Sequence, residues 1–410
     1  MTLKQKKYGF LIPMFFFLLL FLFIGMVTRG SSIVACIHNF PDDTFMDFYN
    51  SLGQGKHAYE NGVIYPPLAN LIYYLLHALV ERDIYYSGAQ VVRTSQSGML
   101  LMAMYIVSLV MFFYYGVNLL FKGDNNEKFI ITTTLLFSAP FVFLIERANI
   151  VFLCLCFIMI FVWGYDSEKT WQKHIAFIAL AIAVGIKGYP AVFGLYLIRE
   201  KRFKDAGILC LYGLFFFFAP FVFFGGVDNI VIFFKNLVST SDYMGQIGYG
   251  WKVNFTNTMG WIGVLTGAQE ACRIIGLILL GLCAACGAFL MVFAKYEEKW
   301  KIAAVPCILM VACPGFSFVY CLIFMSIPLI LFLCEEKKTS TDSLYLVLFV
   351  LMFAQILNPP YGFLEKFSGD HYILAFPTIV ESIALLLFTV LIYVDGFKTL
   401  CKKKINPAQQ

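Results

Sequence analysis

Apolar runs recur along the whole chain, parted by short polar stretches where lysine and arginine gather. The runs fall at 8–27, 98–121, 129–145, 150–164, 207–225, 273–294, 302–314, 318–334, 344–357 and 372–394. About 20 apolar residues cross the ~30 Å hydrocarbon core of a bilayer as a helix. The pattern predicts an all-α fold, a polytopic transmembrane helical bundle of about 11–13 membrane segments, some of them partial. The runs leave no room for a separate soluble unit, so residues 1–410 read as a single integral-membrane domain. The first run follows Lys4, Lys6 and Lys7 but shows no small-x-small cleavage site, and it reads as a retained helix and not a signal peptide.

Two stretches break the rhythm. Residues 174–198 carry Lys187-Gly188-Tyr189-Pro190 at their centre and charge at both ends. Each half is short for a crossing, which predicts a hairpin of two short helices. Residues 65–80 open on Tyr65-Pro66-Pro67 and predict a partial or re-entrant helix, since irregular backbone at membrane depth is tolerated against protein or a water-filled cavity.

Positive clusters mark the cytoplasmic side. Lys398 to Lys404, Lys337 with Lys338, Lys295 to Lys301, Arg199 to Lys204 and Lys122 to Lys128 all assign to that side. The first loop, 28–64, then lies outside, with short amphipathic helices expected in it. The long loop 226–272 and the shorter 358–371 lie outside as well.

Composition agrees with a membrane protein: 60% of the chain is hydrophobic and 13% charged, against about a quarter charged in soluble domains. The net charge of +5 sits at helix ends, so it points to topology and not to nucleic acid. Most of the twelve cysteines lie inside apolar runs. Cys283-x-x-Cys286 sits among Leu, Ala and Gly without the polar partners of a metal or redox site.

Acids and bases are scarce, yet several share the outer side, which points to a site. Asp47 lies in an amphipathic segment between Phe45-Met46 and Phe48-Tyr49, where a carboxylate can take a proton from an acceptor hydroxyl. Asp42 and Asp43 are candidates for a divalent cation, or for helix capping. Lys187, beside helix-breaking Gly188 and Pro190, is placed to meet a lipid-linked phosphate, with a snorkelling lysine or a cytoplasmic turn as the alternative. Arg147, in the turn Glu146-Arg147-Ala148-Asn149, either shares that task or pairs with Glu146 across two helix ends. His57, Glu60, Lys252, Asn254, Asn257, Arg273, Asp370 and His371 complete the outer set.

These residues, in this order, resemble the GT-C superfamily of membrane glycosyltransferases, most closely family 87, the polyprenol-phosphate-mannose-dependent mannosyltransferase type. The stretches that carry the likeness are MDFYNSLGQGKHAYENGVIYPPL, ERANIVFL, AVGIKGYPAVFGLYLIREKR and KVNFTNTMGW, together covering roughly residues 8–270. The C-terminal third matches in hydropathy alone. The resemblance implies an inverting transfer of a mannose-like hexose, or another sugar, from a polyprenyl-phosphate donor to a glycan or lipid acceptor. It implies Asp47 as the base, Lys187 and Arg147 near the donor phosphate, Asn254 and Asn257 in the cavity wall, and Asn149 and Tyr65 at the substrate; Arg273, just past the 226–272 loop, is a further substrate-binding candidate. Asp42 and Asp43 have no counterpart in the family pattern, and Glu146-Arg147-Ala148 departs from a usual glycine and glutamine. A bacterial cell membrane, with the active face non-cytoplasmic, is the expected location. The rival readings are a transporter or lipid flippase, a polysaccharide polymerase or ligase with Arg273 as its late-loop arginine, and a membrane scaffold.

Overall fold

The computed structural model describes residues 1–32, 43–246, 251–315, 317–357 and 376–401. Asp42, Asp370, His371 and the lysines at 402–404 lie outside these residues. Among the described residues the chain is helical, with no strand beyond one isolated bridge between Lys252 and Phe318.

Five helices are long and apolar enough to cross a bilayer: Leu3–Val27, Gln96–Leu120, Phe203–Phe224, Gln269–Phe293 and Phe376–Cys401. A sixth crossing is available from Asn125–Leu136 and Ala139–Arg147, which meet at a 66° bend. The break falls at Phe137-Ser138, just ahead of Pro140, which sits in the first turn of the second helix, where its missing N–H costs nothing. Four apolar segments are shorter: Val151–Gly164, Thr170–Ile186, Val319–Leu333 and Asp342–Phe353. At ~1.5 Å per residue these reach about 18–26 Å, less than a full crossing. The expected count of 11–13 segments thus resolves into five or six full-length helices with shorter ones packed among them.

The packing separates lipid-facing from core-facing helices. Leu3–Val27 buries Phe10, Met14 and Phe21 but exposes Ile12, Phe15, Phe16, Leu19 and Phe23. Exposed apolar side chains of that number on one helix suit hydrocarbon, not water. By contrast Lys299–Ala312 is buried from Ala303 to Ala312. Trp300 at its start is packed edge-on against Phe332 and Tyr345.

One end of the bundle is tied by lysines. Lys6 is fully buried, 3.3 Å from Asp342, and donates to the Glu335 and Lys337 carbonyls. Lys301 pairs with Asp395 at 2.8 Å, and Lys7 with Glu127 at 2.7 Å. The bent pair starts at Asn125, beside this end, and delivers Arg147 toward the other.

Two irregular stretches fold as the sequence suggests, and one differs. Pro67–His77 is a partial helix about 16 Å long. Thr170–Ile186 and the 3-10 turn Tyr189–Gly194 with Leu195–Arg199 form a hairpin of unequal arms, broken at Lys187-Gly188. The stretch 226–272, expected as a loop, holds two helices, Val227–Gln246 and Phe255–Thr266. Asp228 and Lys235 interrupt its apolar residues, yet Phe233 packs in a cluster with Tyr59, Phe221 and Phe224, so the helix is amphipathic.

Candidate active site

The first loop is pinned to the bundle before it presents its acid. Phe45 takes a left-handed conformation, φ 62°, and its N–H donates to the Glu146 carbonyl at 2.8 Å. That bond satisfies a carbonyl left open at the end of the Ala139–Arg147 helix. Ala148, also left-handed at φ 49°, ends that helix. The helix Met46–Gly53 then buries Phe48, Tyr49 and Leu52. Phe48 is fully enclosed, its ring 4.9 Å from Tyr105 and edge-on to Tyr73 at 6.0 Å. The Tyr49 hydroxyl donates to the Gly98 carbonyl at 3.1 Å. Burying a Phe side chain is worth about 1.5–3 kcal/mol, so this apolar face anchors the acid on the opposite face.

Asp47 stands at the centre of a polar cluster. Its Oδ1 accepts from Arg147 Nη2 at 2.5 Å, and its Oδ2 accepts from Asn149 Nδ2 at 2.7 Å. Arg147 Nη1 donates to Asp43, to the carboxylate at 2.6 Å and the carbonyl at 3.2 Å. Arg147 is therefore engaged by two acids, and the turn does not pair it with Glu146. Arg147, expected near the donor phosphate, has its guanidinium turned to these two carboxylates. Asp43, expected as a metal ligand, is half of the Arg147 clamp. Among the described residues no group of three His, Cys, Asp or Glu side chains converges, and Asp42 lies outside them.

Asn149 is almost fully buried and works at three points. Its Oδ1 accepts from the Val151 N–H at 3.0 Å, which starts the next helix. Its Nδ2 donates to Asp47 and to the Tyr65 hydroxyl at 3.1 Å. Because the amide is held from behind, its donors are aimed without further loss of freedom. Tyr65 leads into Pro66 and Pro67, and the fixed φ of the prolines starts the Pro67–His77 helix. Asn70 Nδ2 and the Tyr59 hydroxyl both donate to the Tyr65 carbonyl, at 3.2 Å each. Burial, with the nearby Asp47 charge, pushes the Tyr65 phenol well above its ordinary range. Its hydroxyl thus stays protonated and can donate.

Lys187 lies over the Tyr65 ring, 4.0 Å from its centroid. Among the described residues the ammonium makes no hydrogen bond or ion pair, so a cation–π contact is what holds it. Its place depends on Gly185. A Cβ there would come within 2.7 Å of the Phe216 carbonyl oxygen and 2.8 Å of Leu68. Only glycine lets the Thr170–Ile186 helix approach the proline-started helix so closely, which sets Lys187 above Tyr65.

The chain of contacts runs Arg147, Asp47, Asn149, Tyr65, Lys187. It joins three segments of the sequence and lies at the end of the bundle away from Lys6 and Lys301. Other expected residues make their bonds outside this chain of contacts. Asn254 caps the Phe255–Thr266 helix by accepting from the Asn257 N–H at 2.9 Å, and it donates to the Pro314 and Gly315 carbonyls. Asn257 donates to the Lys252 carbonyl. Asn254 also accepts from the Thr256 hydroxyl at 3.0 Å. Arg273 is exposed and paired with Glu270 one turn earlier, and His57 pairs with Glu60 at the surface. Tyr59 and Asn70, which hold the Tyr65 backbone, were not singled out in the sequence, although an Asn inside an apolar helix is a signal of a polar duty.

The sequence pattern of glycosyltransferase family 87 matches residues 64–314. That stretch includes Tyr65, Arg147, Asn149 and Lys187, while Asp47 lies ahead of it. No curated protein and no solved structure matches the chain.

Proposed function

Because the chain belongs to glycosyltransferase family 87 and is a multi-pass membrane glycosyltransferase, we propose that it transfers a hexose from a polyprenyl-phosphate donor to an acceptor hydroxyl, with inversion. One observation carries this reading: a half-buried carboxylate, Asp47, and an unpaired cation, Lys187, are linked through Asn149 and Tyr65 in one site.

The acceptor oxygen attacks the anomeric carbon as its proton passes to Asp47. The bond from that carbon to the phosphate oxygen breaks, and the polyprenyl phosphate leaves with the electron pair. Lys187 meets the charge that grows on the departing phosphate, and the Tyr65 hydroxyl donates to the substrate. Asn149 fixes Asp47, and Arg147 is a positioning residue. A lipid-borne leaving group suits a site bounded by apolar helices, and the lysine clusters at the other end of the bundle support a non-cytoplasmic active face.

Purified full-length protein, supplied with a polyprenyl-phosphate hexose and an acceptor glycolipid, tests this. Asp47→Asn is expected to lower turnover by about 10²–10⁴-fold with little change in the KM for the donor. Undiminished transfer by a folded Asp47→Asn protein would remove the proposed base. Movement of the lipid across a vesicle bilayer without sugar transfer would favour a flippase.

A further inference from the structure

A second polar site lies inside the bundle, on the helix Phe376–Cys401. Glu381 is fully buried there, as is Thr378, and Ser382 is nearly so. Neither oxygen of the Glu381 carboxyl, nor the hydroxyl of Thr378 or Ser382, has a hydrogen-bond partner among the described residues. Glu381 lies about 21 Å along its helix from Asp395, the residue paired with Lys301 at the lysine-tied end. An orphaned ionisable side chain at that depth is costly and marks a site with a partner still to come.

Glu381 and Thr378 line a cavity of about 20 Å³ walled by Val142, Phe143 and Trp251. The space suits one hydroxyl or water-sized group. Phe143 stacks on Trp251 at 5.5 Å and packs against Tyr320 at 5.9 Å. It also lies one helical turn before Arg147, so the cavity adjoins the Asp47 cluster from behind. Gln355 lines this cavity and also a larger groove of about 260 Å³. The groove runs along the outer surface of the bundle, between Met14 to Leu18 of the first helix and Phe129 to Phe137 of the bent pair. One side-chain amide, donating to the Phe137 carbonyl at 2.9 Å, separates the two spaces.

We infer that cavity and groove together seat the acceptor, an amphiphile with an uncharged, hydroxyl-bearing head group and a hydrocarbon tail. This rests on the transferase reading above. Glu381 and Thr378 take a head-group hydroxyl, Gln355 stands at the junction, and the groove takes the tail. The want of a cation decides against the donor: a phosphate in this cavity would be buried with no countercharge among the lining residues, whereas Lys187 attracts it. The two lipids thus use different sides of the Ala139–Arg147 helix.

The full-length protein, held in phosphatidylcholine nanodiscs doped with either a monoglycosyl diacylglycerol or phosphatidylglycerol, tests this by native mass spectrometry of the lipids it retains. Wild type is expected to retain the glycolipid over phosphatidylglycerol by about tenfold. Glu381→Leu should lose that preference and Glu381→Gln should keep most of it, because an amide still bonds a hydroxyl. Thr134→Trp, which fills the groove, should lose it too. Should Glu381→Leu fail to fold, Thr378→Val serves with the same expected loss. Equal retention of the two lipids by wild type, or unchanged preference in a folded Glu381→Leu protein, overturns the inference. Retention is read without turnover, so a protein that keeps the glycolipid yet transfers no sugar refutes the transferase reading alone.

Discussion

Replacing Arg147 with methionine separates two roles for that residue. The guanidinium makes three hydrogen bonds, two to Asp43 and one to Asp47, and its side chain is 13% exposed. Methionine keeps the stem and removes the charge, which leaves two carboxylates facing each other. Breaking a fully buried pair costs about 3–5 kcal/mol. The acids here are 21% and 39% exposed, so solvent recovers part of that, and about 2 kcal/mol is expected. A double-mutant cycle of Arg147→Met with Asp47→Asn isolates the contact. Unfolding of each purified protein in mixed micelles gives the four stabilities, and the coupling is expected at about 1–2 kcal/mol. Turnover should fall in Arg147→Met because Asp47 loses one of its two anchors, while the donor KM changes little. A coupling below about 0.5 kcal/mol, together with a donor KM raised many-fold at unchanged stability, would refute the clamp and return Arg147 to the phosphate.

Lys187→Ala is expected to raise the donor KM and lower turnover together by about 10²-fold or more, with Lys187→Arg recovering part, as measured by steady-state transfer kinetics. Asp43→Asn should slow transfer several-fold while leaving the donor KM in place, because protonating Asp47 would then strand Arg147 without an anion; the same kinetics check it. Arg273→Ala should leave both melting temperature and transfer at wild-type values, since its one ion pair is at the surface.

Much of this arrangement was open to reading from the sequence because membrane depth imposes strict rules. The apolar runs marked the helices, and Lys187-Gly188-Tyr189-Pro190 marked a break, since a lysine with helix breakers cannot continue an apolar helix. Tyr65-Pro66-Pro67 marked a helix start for the same kind of reason. What stayed hidden is pairing at a distance. Arg147 and Asp47 stand a hundred residues apart in the chain, and nothing local says that the arginine turns to the loop and not to Glu146 beside it or to a ligand. Asn254 and Asn257 show a related limit. An asparagine in a family-like motif suggests a cavity, but one placed just before an apolar helix also suits a cap, and Asn254 makes that cap while Asn257 bonds the Lys252 carbonyl. The Arg273–Glu270 pair stands at i, i+3 spacing, a local signal that the reading of Arg273 as a substrate residue passes over. The amphipathic helix Val227–Gln246 was missed because its charged residues lower the run's hydropathy without disturbing its helical period.

The clamp also accounts for why a base would be kept beside an arginine. Asp43, Asp47, Arg147 and Lys187 carry charges that sum to zero. In the proposed transfer a proton arrives on Asp47 while negative charge leaves on the phosphate, so charge would move across the site toward Lys187. A phosphate oxygen about 4 Å from that ammonium gains on the order of 4 kcal/mol at an effective dielectric near 20. On the other side, Arg147 would lose its counterion as Asp47 is neutralised, were Asp43 not already bonded to it at 2.6 Å. Two acids on one arginine therefore let one of them change its charge without leaving a buried cation unpaired. In the proposed reaction the cluster is a fixed counterweight to Lys187, and the reaction coordinate runs between the two.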